Sequence, residues 1–312
     1  MTGHNNDATA AAQVGTPPSR ALVVVNRRAR NGGASLDGPL AVLAAGGLEV
    51  VCHVPGESEN PSDVIRAHAA DGCDRVIVGG GDGTLSAAAP AIVETGLPLG
   101  ILPLGTATDL ARSRGIPADV ARAAAVIAAG HLRAIDLGSV NDRLFFNVAS
   151  IGFSAALPRE ITTSAKRRWG TVGYAIAAIR LLRRIRPFTA WIDHDGGTAV
   201  TRGIQVSVGN GRNYGGGMTV DSQARLDDGV FHVYSLETDR WWRLLALVPH
   251  LRAGTQGRWP DVGTWRTTAC TLRTRRPMRI NADGEIASAT PAHFRVIPGA
   301  VRVFVPRPSP AS

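Results

Sequence analysis

A glycine-rich stretch, Gly79-Gly80-Gly81-Asp82-Gly83-Thr84, has the composition of a site that binds phosphate. It follows an apolar run at 75–78 and precedes a helix-like run that begins at Leu85. Fixed glycine is entropically costly, so this density of glycine suggests that a ligand approaches the backbone closely. Exposed N–H groups at a helix start favour an anion, usually phosphate. The stretch therefore predicts a nucleotide phosphate loop; the alternative is a tight strand–helix turn in which Asp82 caps the helix.

Two further loops of similar composition follow predicted strands in the first part of the chain. The apolar run at 21–25 is typical of a strand buried on both faces, and it leads into a polar loop at 26–33. A strand at 99–102 leads into the loop at 103–109. Because ligands bind outside the carboxyl ends of parallel strands, we expect these loops and the glycine-rich stretch to meet at one sheet edge.

The order of predicted elements indicates two different domains. The first part alternates strands at 21–25, 48–53, 75–78 and 99–102 with helices at 36–45, 61–70 (capped by Ser58 or Asn60), 85–94, 110–113 and 118–129. This alternation predicts a parallel sheet with helices on both faces. After about Ile135, short strands dominate, at 144–148, 189–192, 204–208, 230–235, 269–274, 278–281, 294–297 and 301–305, with helical inserts at 170–184 and 241–251. These strands predict a sandwich or barrel.

We therefore predict an α/β fold with an N-terminal parallel-sheet nucleotide-binding domain and a C-terminal β-rich sandwich domain. A disordered tail occupies 1–19, the α/β domain 20–135 and the β-rich domain 136–298. At 312 residues, two domains are the natural expectation.

The net charge and the cysteine content limit which partners and which cell compartment we expect for this protein. The formal charge of +9 permits nucleic acid, an anionic membrane or a phosphorylated ligand. No nucleic-acid recognition signature accompanies it, so we predict no nucleic-acid partner. Three scattered cysteines without CxxC spacing argue against a disulfide framework and structural zinc, and fit a cytoplasmic protein. The N-terminus does not resemble a secretory signal, and no apolar run is long enough to span a bilayer.

The sequence does not contain the residues that other known phosphate-binding motifs require. A Walker A loop needs a lysine after its glycines, and the only lysine, Lys166, lies far from any glycine-rich loop. The protein-kinase His-Arg-Asp and Asp-Phe-Gly signatures are absent. The stretch at 79–84 does not satisfy the dinucleotide GxGxxG pattern either.

A series of segments in order resembles the diacylglycerol kinase catalytic family, which includes bacterial lipid kinases and is similar to sphingosine kinases. The segments are GGGDGT at 79–84, LPLGTATDLAR at 102–112, FNVASIGF at 146–153, VGNGRNYGGGM at 208–218, LDDGV at 226–230, DGE at 283–285 and VIPGAVRV at 296–303. Together they extend the resemblance over about 20–306. NAD kinases share the first segment, so the series and not the single motif carries the resemblance.

The resemblance implies ATP in a cleft between the two domains, a hydroxyl-bearing lipid as acceptor, and a final strand at 299–306 that could return to the first domain. It implies that the phosphates lie on 79–84. The nucleotide-binding residues that we assign outside this stretch are Asn26, Gly32, Ser58 and Thr106.

Catalytic and metal-binding roles follow from the same resemblance. It places the general base at Glu285 and a companion acid at Asp109, and Asp82 among the glycines is a metal or network acid for Mg²⁺. A structural Mg²⁺ maps to Asp228, with backbone carbonyls near Arg225 and Val230. On the residues alone, Glu285 could be a hairpin residue after a turn, and Asp109 could be an acid that favours a helix start.

Several positions depart from the family pattern. Arg27 and Asp221 stand where proline is usual, Ser154 replaces an acidic residue, and Thr108 replaces an asparagine beside Asp109. Thr108 could retune the metal site or reduce activity. Two rival functions stay open: a soluble kinase of NAD type, which shares the glycine-aspartate loop, and a lipid- or nucleotide-binding protein that has lost activity, which Thr108 suggests. The identity of the lipid alcohol and a homodimeric state also stay open.

Basic clusters with aromatic residues predict peripheral contact with an anionic membrane. They lie at 166–169, 180–186 and 240–243. Basic side chains near a surface attract anionic lipid at about 1 kcal/mol each, and tryptophan suits the interface. The alternative is a solvated helix face with the tryptophan packed inward.

Overall fold

The computed structural model describes residues 19–26, 29, 36–56, 58–105, 108–156, 186–211, 213–214, 218–219, 224–237, 250 and 259–307. In the first part these residues form β1 (Ser19–Val25), α1 (Asp37–Ala45), β2 (Leu48–His53), α2 (Pro61–Ala70), β3 (Arg75–Gly80), α3 (Asp82–Thr95), β4 (Leu99–Pro103), α4 (Asp109–Ser113), α5 (Val120–Ala128) and β5 (Leu132–Val140).

The later elements are mostly strands. They are β6 (Arg143–Phe145), β7 (Val148–Gly152), α6 (Phe153–Ala156), β8 (Phe188–His194), β9 (Gly197–Gly203), β10 (Gln205–Gly209), β11 (Asn213–Tyr214), β12 (Met218–Thr219), β13 (Phe231–Leu236), β14 (Val262–Thr267), β15 (Ala269–Thr274), β16 (Arg279–Ala282), β17 (Glu285–Ala289) and β18 (Ala292–Phe304).

The parallel sheet of the first part has the order β2-β1-β3-β4. Its central strand β1 is buried over residues 21–25, as its continuous apolar sequence predicts. Helix α2 begins where Asn60 Oδ1 accepts a hydrogen bond of 2.9 Å from Ser62 N, so Asn60 and not Ser58 is the cap. Helix α3 ends at Gly96, which has a φ of +65°.

Two sheets pack face to face in the second part. One has the order β14-β13-β10-β7-β16-β17, and the other continues the parallel sheet through β18-β15-β8-β9, with β5 and β6 joined to β18. Phe231 on β13 stacks on Phe145 of β6 at a ring distance of 5.9 Å and meets Phe294 of β18 edge-on at 6.5 Å. Because these rings come from opposite sheets, they form the centre of a sandwich core.

Strand β18 connects the two parts. Its first half pairs antiparallel with β15, and it pairs antiparallel with β5 over most of its length. Near its end, Val303 pairs in parallel with Leu99 of β4. The separate strands predicted at 294–297 and 301–305 are therefore one strand, with an irregularity between Ile297 and Val301.

The strands that the sequence prediction missed have weak strand signals. Strand β5 contains Asp136 and Gly138, and β9 begins and ends in glycine at the edge of its sheet. Strands β14 and β17 were also not predicted. The predicted helical inserts at 170–184 and 241–251 lie outside the described residues, apart from His250, and so do the basic clusters, apart from Arg186. No helix in the described part of the chain is both long and apolar enough to cross a membrane.

Candidate functional site

Loops that follow three parallel strands meet at one edge of the sheet. After β1, Asn26 N donates to Gly79 O at 2.9 Å, and Asn26 Nδ2 donates to Thr84 Oγ1 at 3.0 Å. After β4, Gly105 N donates to Gly80 O at 3.0 Å. The predicted meeting of these loops is therefore confirmed, with the stretch at 79–84 in the middle.

Close packing between these loops requires two of their glycines. A Cβ atom on Gly105 would lie 2.4 Å from Gly81 Cα, a backbone atom that cannot rotate away. A Cβ atom on Gly80 would lie 2.6 Å from Thr84 Oγ1. Gly105 is thus needed for the approach of one loop backbone to another, and Gly80 for the packing of the Thr84 side chain within the stretch, whatever ligand the loops bind.

Two buried carboxylates lie where these loops enter helices. Asp82 is the first residue of α3 and Asp109 the first of α4, and their exposed fractions are 5% and 3%. Asp82 Oδ2 accepts a hydrogen bond of 3.0 Å from Asp109 N, and its Oδ1 accepts one of 3.4 Å from Leu110 N. Asp82 therefore caps α4 across the sheet edge and fixes the second acid beside the first.

The environment of Asp82 opposes its negative charge. Burial, followed by the negative charge of Asp283, raises the pKa of Asp82 from its ordinary 3.8 to about 7. The hydrogen bonds from Asp109 N and Leu110 N act in the opposite direction. A bound cation would relieve this cost, so the residues fit Mg²⁺, which proteins usually hold by one or two carboxylates together with substrate phosphates. Within the described residues, no group of three or more His, Cys, Asp or Glu side chains forms a metal site by itself.

Asp283 is a buried residue of this region to which the sequence analysis assigned no role, although it lies in the DGE segment at 283–285. Its Oδ2 accepts hydrogen bonds from Phe146 N at 2.6 Å and Ser86 Oγ at 2.9 Å. Its Oδ1 accepts bonds from Asn147 N at 2.9 Å and Val148 N at 3.1 Å. Burial raises its pKa, and these donors oppose the rise. Because Ser86 is on α3, Asp283 ties the second part of the chain to the helix that begins with Asp82.

Glu285 follows this anchor in a two-residue hairpin turn. Asp283 and Gly284 have φ of +47° and +92°, and Ala282 pairs with Glu285 across the turn. An Asp-Gly pair between strands is the signal that predicts such a turn. Glu285 itself is exposed at the start of β17. Its assigned role as general base stays a prediction.

Two family models match the chain. Residues 20–140 match the diacylglycerol kinase catalytic domain, and residues 147–305 match the YegS C-terminal NAD kinase beta sandwich-like domain. The chain belongs to the diacylglycerol kinase catalytic family. These matches support its classification as a lipid kinase.

Named relatives of this family cover most of the chain. A Mycobacterium tuberculosis (strain CDC 1551 / Oshkosh) protein named diacylglycerol kinase is 34% identical, over 86% of this chain and 89% of that protein. A Pseudomonas aeruginosa (strain UCBPP-PA14) protein named "Probable lipid kinase YegS-like" is 30% identical, over 87% of this chain and 89% of that protein. A crystal structure described as a diacylglycerol kinase from Bacillus anthracis str. Sterne has a TM-score of 0.77 and 23% identity, and covers 94% of this chain and 99% of that chain. This last likeness shows the shared fold.

The structural metal that this family resemblance predicted at Asp228 stays a prediction. Asp228 Oδ2 accepts a hydrogen bond from Arg225 N at 3.0 Å and lies 3.0 Å from His232 Nε2. Its Oδ1 accepts a bond of 3.3 Å from Val230 N. The described contacts of Arg225 and Val230 with Asp228 are thus through backbone N–H groups, while the predicted metal ligands were carbonyls.

The other predicted nucleotide residues fall into two groups. Gly32 and Thr106 lie outside the described residues. Ser58 is exposed before α2, and Thr108 precedes α4 as its N-cap without a side-chain cap bond. The roles of Ser58, Gly32 and Thr106 therefore stay predictions, as does the effect of Thr108.

Proposed function

We propose that this chain is an ATP- and Mg²⁺-dependent lipid kinase that transfers the γ-phosphoryl group to the hydroxyl of diacylglycerol or a similar lipid alcohol. The observation that carries the proposal is the position of Asp82. This buried acid belongs to the glycine-rich stretch and bonds to the start of α4, where phosphate-binding N–H groups and a metal-binding carboxylate are both required. The names of the bacterial relatives support the choice of acceptor.

The roles of the residues follow from what phosphoryl transfer requires. The backbone at 79–84 binds the nucleotide phosphates, and the packing of Gly105 on Gly81 holds that backbone in place. Asp82 and Asp109 are the residues that would hold Mg²⁺, together with oxygens of the nucleotide phosphates. When bound, Mg²⁺ neutralises charge on the transferring group. Asp283 fixes the hairpin of Glu285 against α3 through its bond with Ser86. Glu285, from the second part of the chain, is thereby held near the helix that begins with Asp82.

Glu285 accepts the proton of the lipid hydroxyl in this proposal. We expect Glu285→Gln to lower kcat by about 10²-fold or more, since a positioned base contributes about 10²–10⁴-fold. Its neighbour Ile286 is also exposed on β17, at 52%, so Ile286→Val is the matched control and should retain activity. Full turnover by a folded, ATP-binding Glu285→Gln protein would contradict the assigned role.

The function itself is tested by transfer of radiolabel from [γ-³²P]ATP into lipid. Vesicles of phosphatidylcholine containing diacylglycerol should yield labelled phosphatidic acid only when Mg²⁺ is present. Labelled NADP from added NAD would favour the kinase of NAD type instead. ATP binding without transfer to any of a panel of lipid alcohols would favour a protein without activity.

We also propose that the chain works in the cytoplasm as a peripheral membrane protein. The basic clusters at 166–169, 180–186 and 240–243 support this, because such side chains attract anionic lipid. The protein should cosediment with vesicles that contain phosphatidylglycerol and be released by salt. Equal sedimentation with neutral vesicles at all salt concentrations would argue against the electrostatic contribution.

A further inference from the structure

Three arginines converge on one carboxylate beyond the far end of α4. Asp227 Oδ2 lies 3.1 Å from Arg133 Nε and 3.6 Å from Arg114 Nη1, and Asp227 Oδ1 lies 3.0 Å from Arg225 Nε. One carboxylate balances only one of these charges. The neighbouring Asp228 is engaged by His232 Nε2 and by Arg225 N. The three guanidiniums around Asp227 therefore outnumber the two neighbouring carboxylates, Asp227 and Asp228, and the cluster is net positive.

Arg114 is the buried member of this cluster and has an unused binding edge. Its side chain is only 10% exposed, whereas those of Arg133 and Arg225 are 48% and 63% exposed. Within the described part of the chain, neither Nε nor Nη2 of Arg114 has a hydrogen-bond partner, although both atoms are buried. Burial also lowers the pKa of Arg114, and the negative charge of Asp227 opposes this shift.

The two unpartnered nitrogens are the pair that recognises an oxyanion. Nε–H and Nη2–H point in parallel from one edge of a guanidinium, and that edge binds two oxygens of a phosphate or carboxylate at once. The contact with Asp227 uses the other nitrogen, Nη1, so the two nitrogens of this buried edge are left without a hydrogen-bond partner among the described residues. A buried polar group without a partner calls for an explanation such as a ligand.

The surrounding backbone holds the cluster in place. Arg114 N is bonded to Leu110 O at the end of α4. The turn that carries Asp227 is attached to β5 by the bond from Asp136 N to Leu226 O at 2.6 Å. Asp136 in turn accepts bonds of 2.8 Å from Gly229 N and Gly299 N. The arginines are thus positioned before any ligand arrives, which lowers the entropic cost of binding.

We propose that Arg114, Arg133 and Arg225 form a second anion site, separate from the nucleotide loop, that binds a phosphate monoester group. Such a group carries about −1.5 to −2 charges near neutral pH, opposite in sign to the net charge of the cluster. The two exposed arginines meet the anion first, and the Arg114 fork then binds two of its oxygens. Arg114 lies five positions after Asp109 in the chain, which corresponds to roughly 8 Å along a helix axis.

The test measures binding of inorganic phosphate to the full chain by calorimetry, against chloride at equal ionic strength. The decisive variant is Arg114→Lys, which keeps the positive charge but lacks the parallel Nε–H and Nη2–H donors of the guanidinium. Wild type should show saturable binding that Arg114→Lys weakens by about tenfold or more. Arg202→Met, at an exposed arginine on edge strand β9, should bind like wild type. Phosphate that binds to the nucleotide loop is common to all three proteins and cancels in the comparison.

A vesicle-binding measurement distinguishes a lipid phosphate from free phosphate, and a second variant keeps the test valid if Arg114→Lys does not fold. Phosphatidic acid in phosphatidylcholine vesicles should bind in an Arg114-dependent manner if the group belongs to a lipid, and phosphatidylglycerol vesicles, with a diester, should not. Arg114-dependent calorimetry without such vesicle binding indicates free phosphate instead. If Arg114→Lys does not fold, the exposed pair Arg133→Met/Arg225→Met replaces it, with the same expected loss. Equal phosphate affinity in wild type and the cluster variants, or no saturable binding, overturns the proposal.

Discussion

Replacing Asp82 by asparagine should stabilise the folded protein at high pH. The folded state holds the pKa of Asp82 at about 7, against 3.8 ordinarily, so the folded state favours the protonated form. Its stability therefore falls as the pH rises from about 4 to about 7. Relative to the unfolded chain, the raised pKa lowers the stability by on the order of 4 kcal/mol at pH 8, where the folded carboxylate is ionised, and by roughly 1–2 kcal/mol at pH 5, where folding requires it to take up a proton. Asparagine removes this cost at every pH.

The substitution also loses part of the cap of α4. The amide oxygen can keep the 3.0 Å bond from Asp109 N, but the amide nitrogen cannot accept the 3.4 Å bond from Leu110 N. A lost hydrogen bond costs about 1 kcal/mol. We therefore expect Asp82→Asn to be about 2–3 kcal/mol more stable than wild type at pH 8 and nearly equal at pH 5.

Urea unfolding at pH 5, 6, 7 and 8, without Mg²⁺ or nucleotide, measures this difference. Asp142→Asn is the matched control, because Asp142 is exposed in a turn with a φ of +66°, a conformation that asparagine tolerates. Its free energy of unfolding should stay within about 0.5 kcal/mol of wild type. The reasoning fails if Asp82→Asn is less stable than wild type at pH 8, or if the difference does not change with pH. Loss of lipid phosphorylation in the stabilised variant would fit a site that trades stability for function.

Two further substitutions test the packing of the site. Ser86→Ala removes one of the described donors to Asp283 and should lower the free energy of unfolding by about 1 kcal/mol, measured in urea; an unchanged stability would contradict the bond. Gly105→Ala places a Cβ 2.4 Å from Gly81 Cα and should cost about 1–3 kcal/mol by the same assay. Gly38→Ala is the matched control, because a Cβ at this position of α1 would meet nothing within 4 Å. Alanine also favours a helix over glycine by up to about 1 kcal/mol. Equal stability of the two variants would refute the steric argument.

Much of the first part of the chain could be predicted from sequence because its signals are local. Five consecutive apolar residues in β1 indicate a strand covered on both sides, and a parallel strand places its following loop at a known edge. The sequence therefore predicts that the glycines and Asp82 lie at one edge of the sheet. Strand β5 was missed because its sequence includes Asp136 and Gly138, and its identity as a strand comes from pairing with β18.

The sequence alone determined where the loops are, which acids they carry and which family the segments resemble. Only the tertiary structure decided what those acids contact. Asp283 accepts a bond from Ser86, 197 residues away, and Arg114 meets Asp227 from a different element. Periodicity and composition describe a residue's own backbone and burial, whereas such partners depend on which distant elements the topology brings together. Burial, which raises the pKa of Asp82 and encloses the Arg114 fork, likewise exists only once those elements have packed.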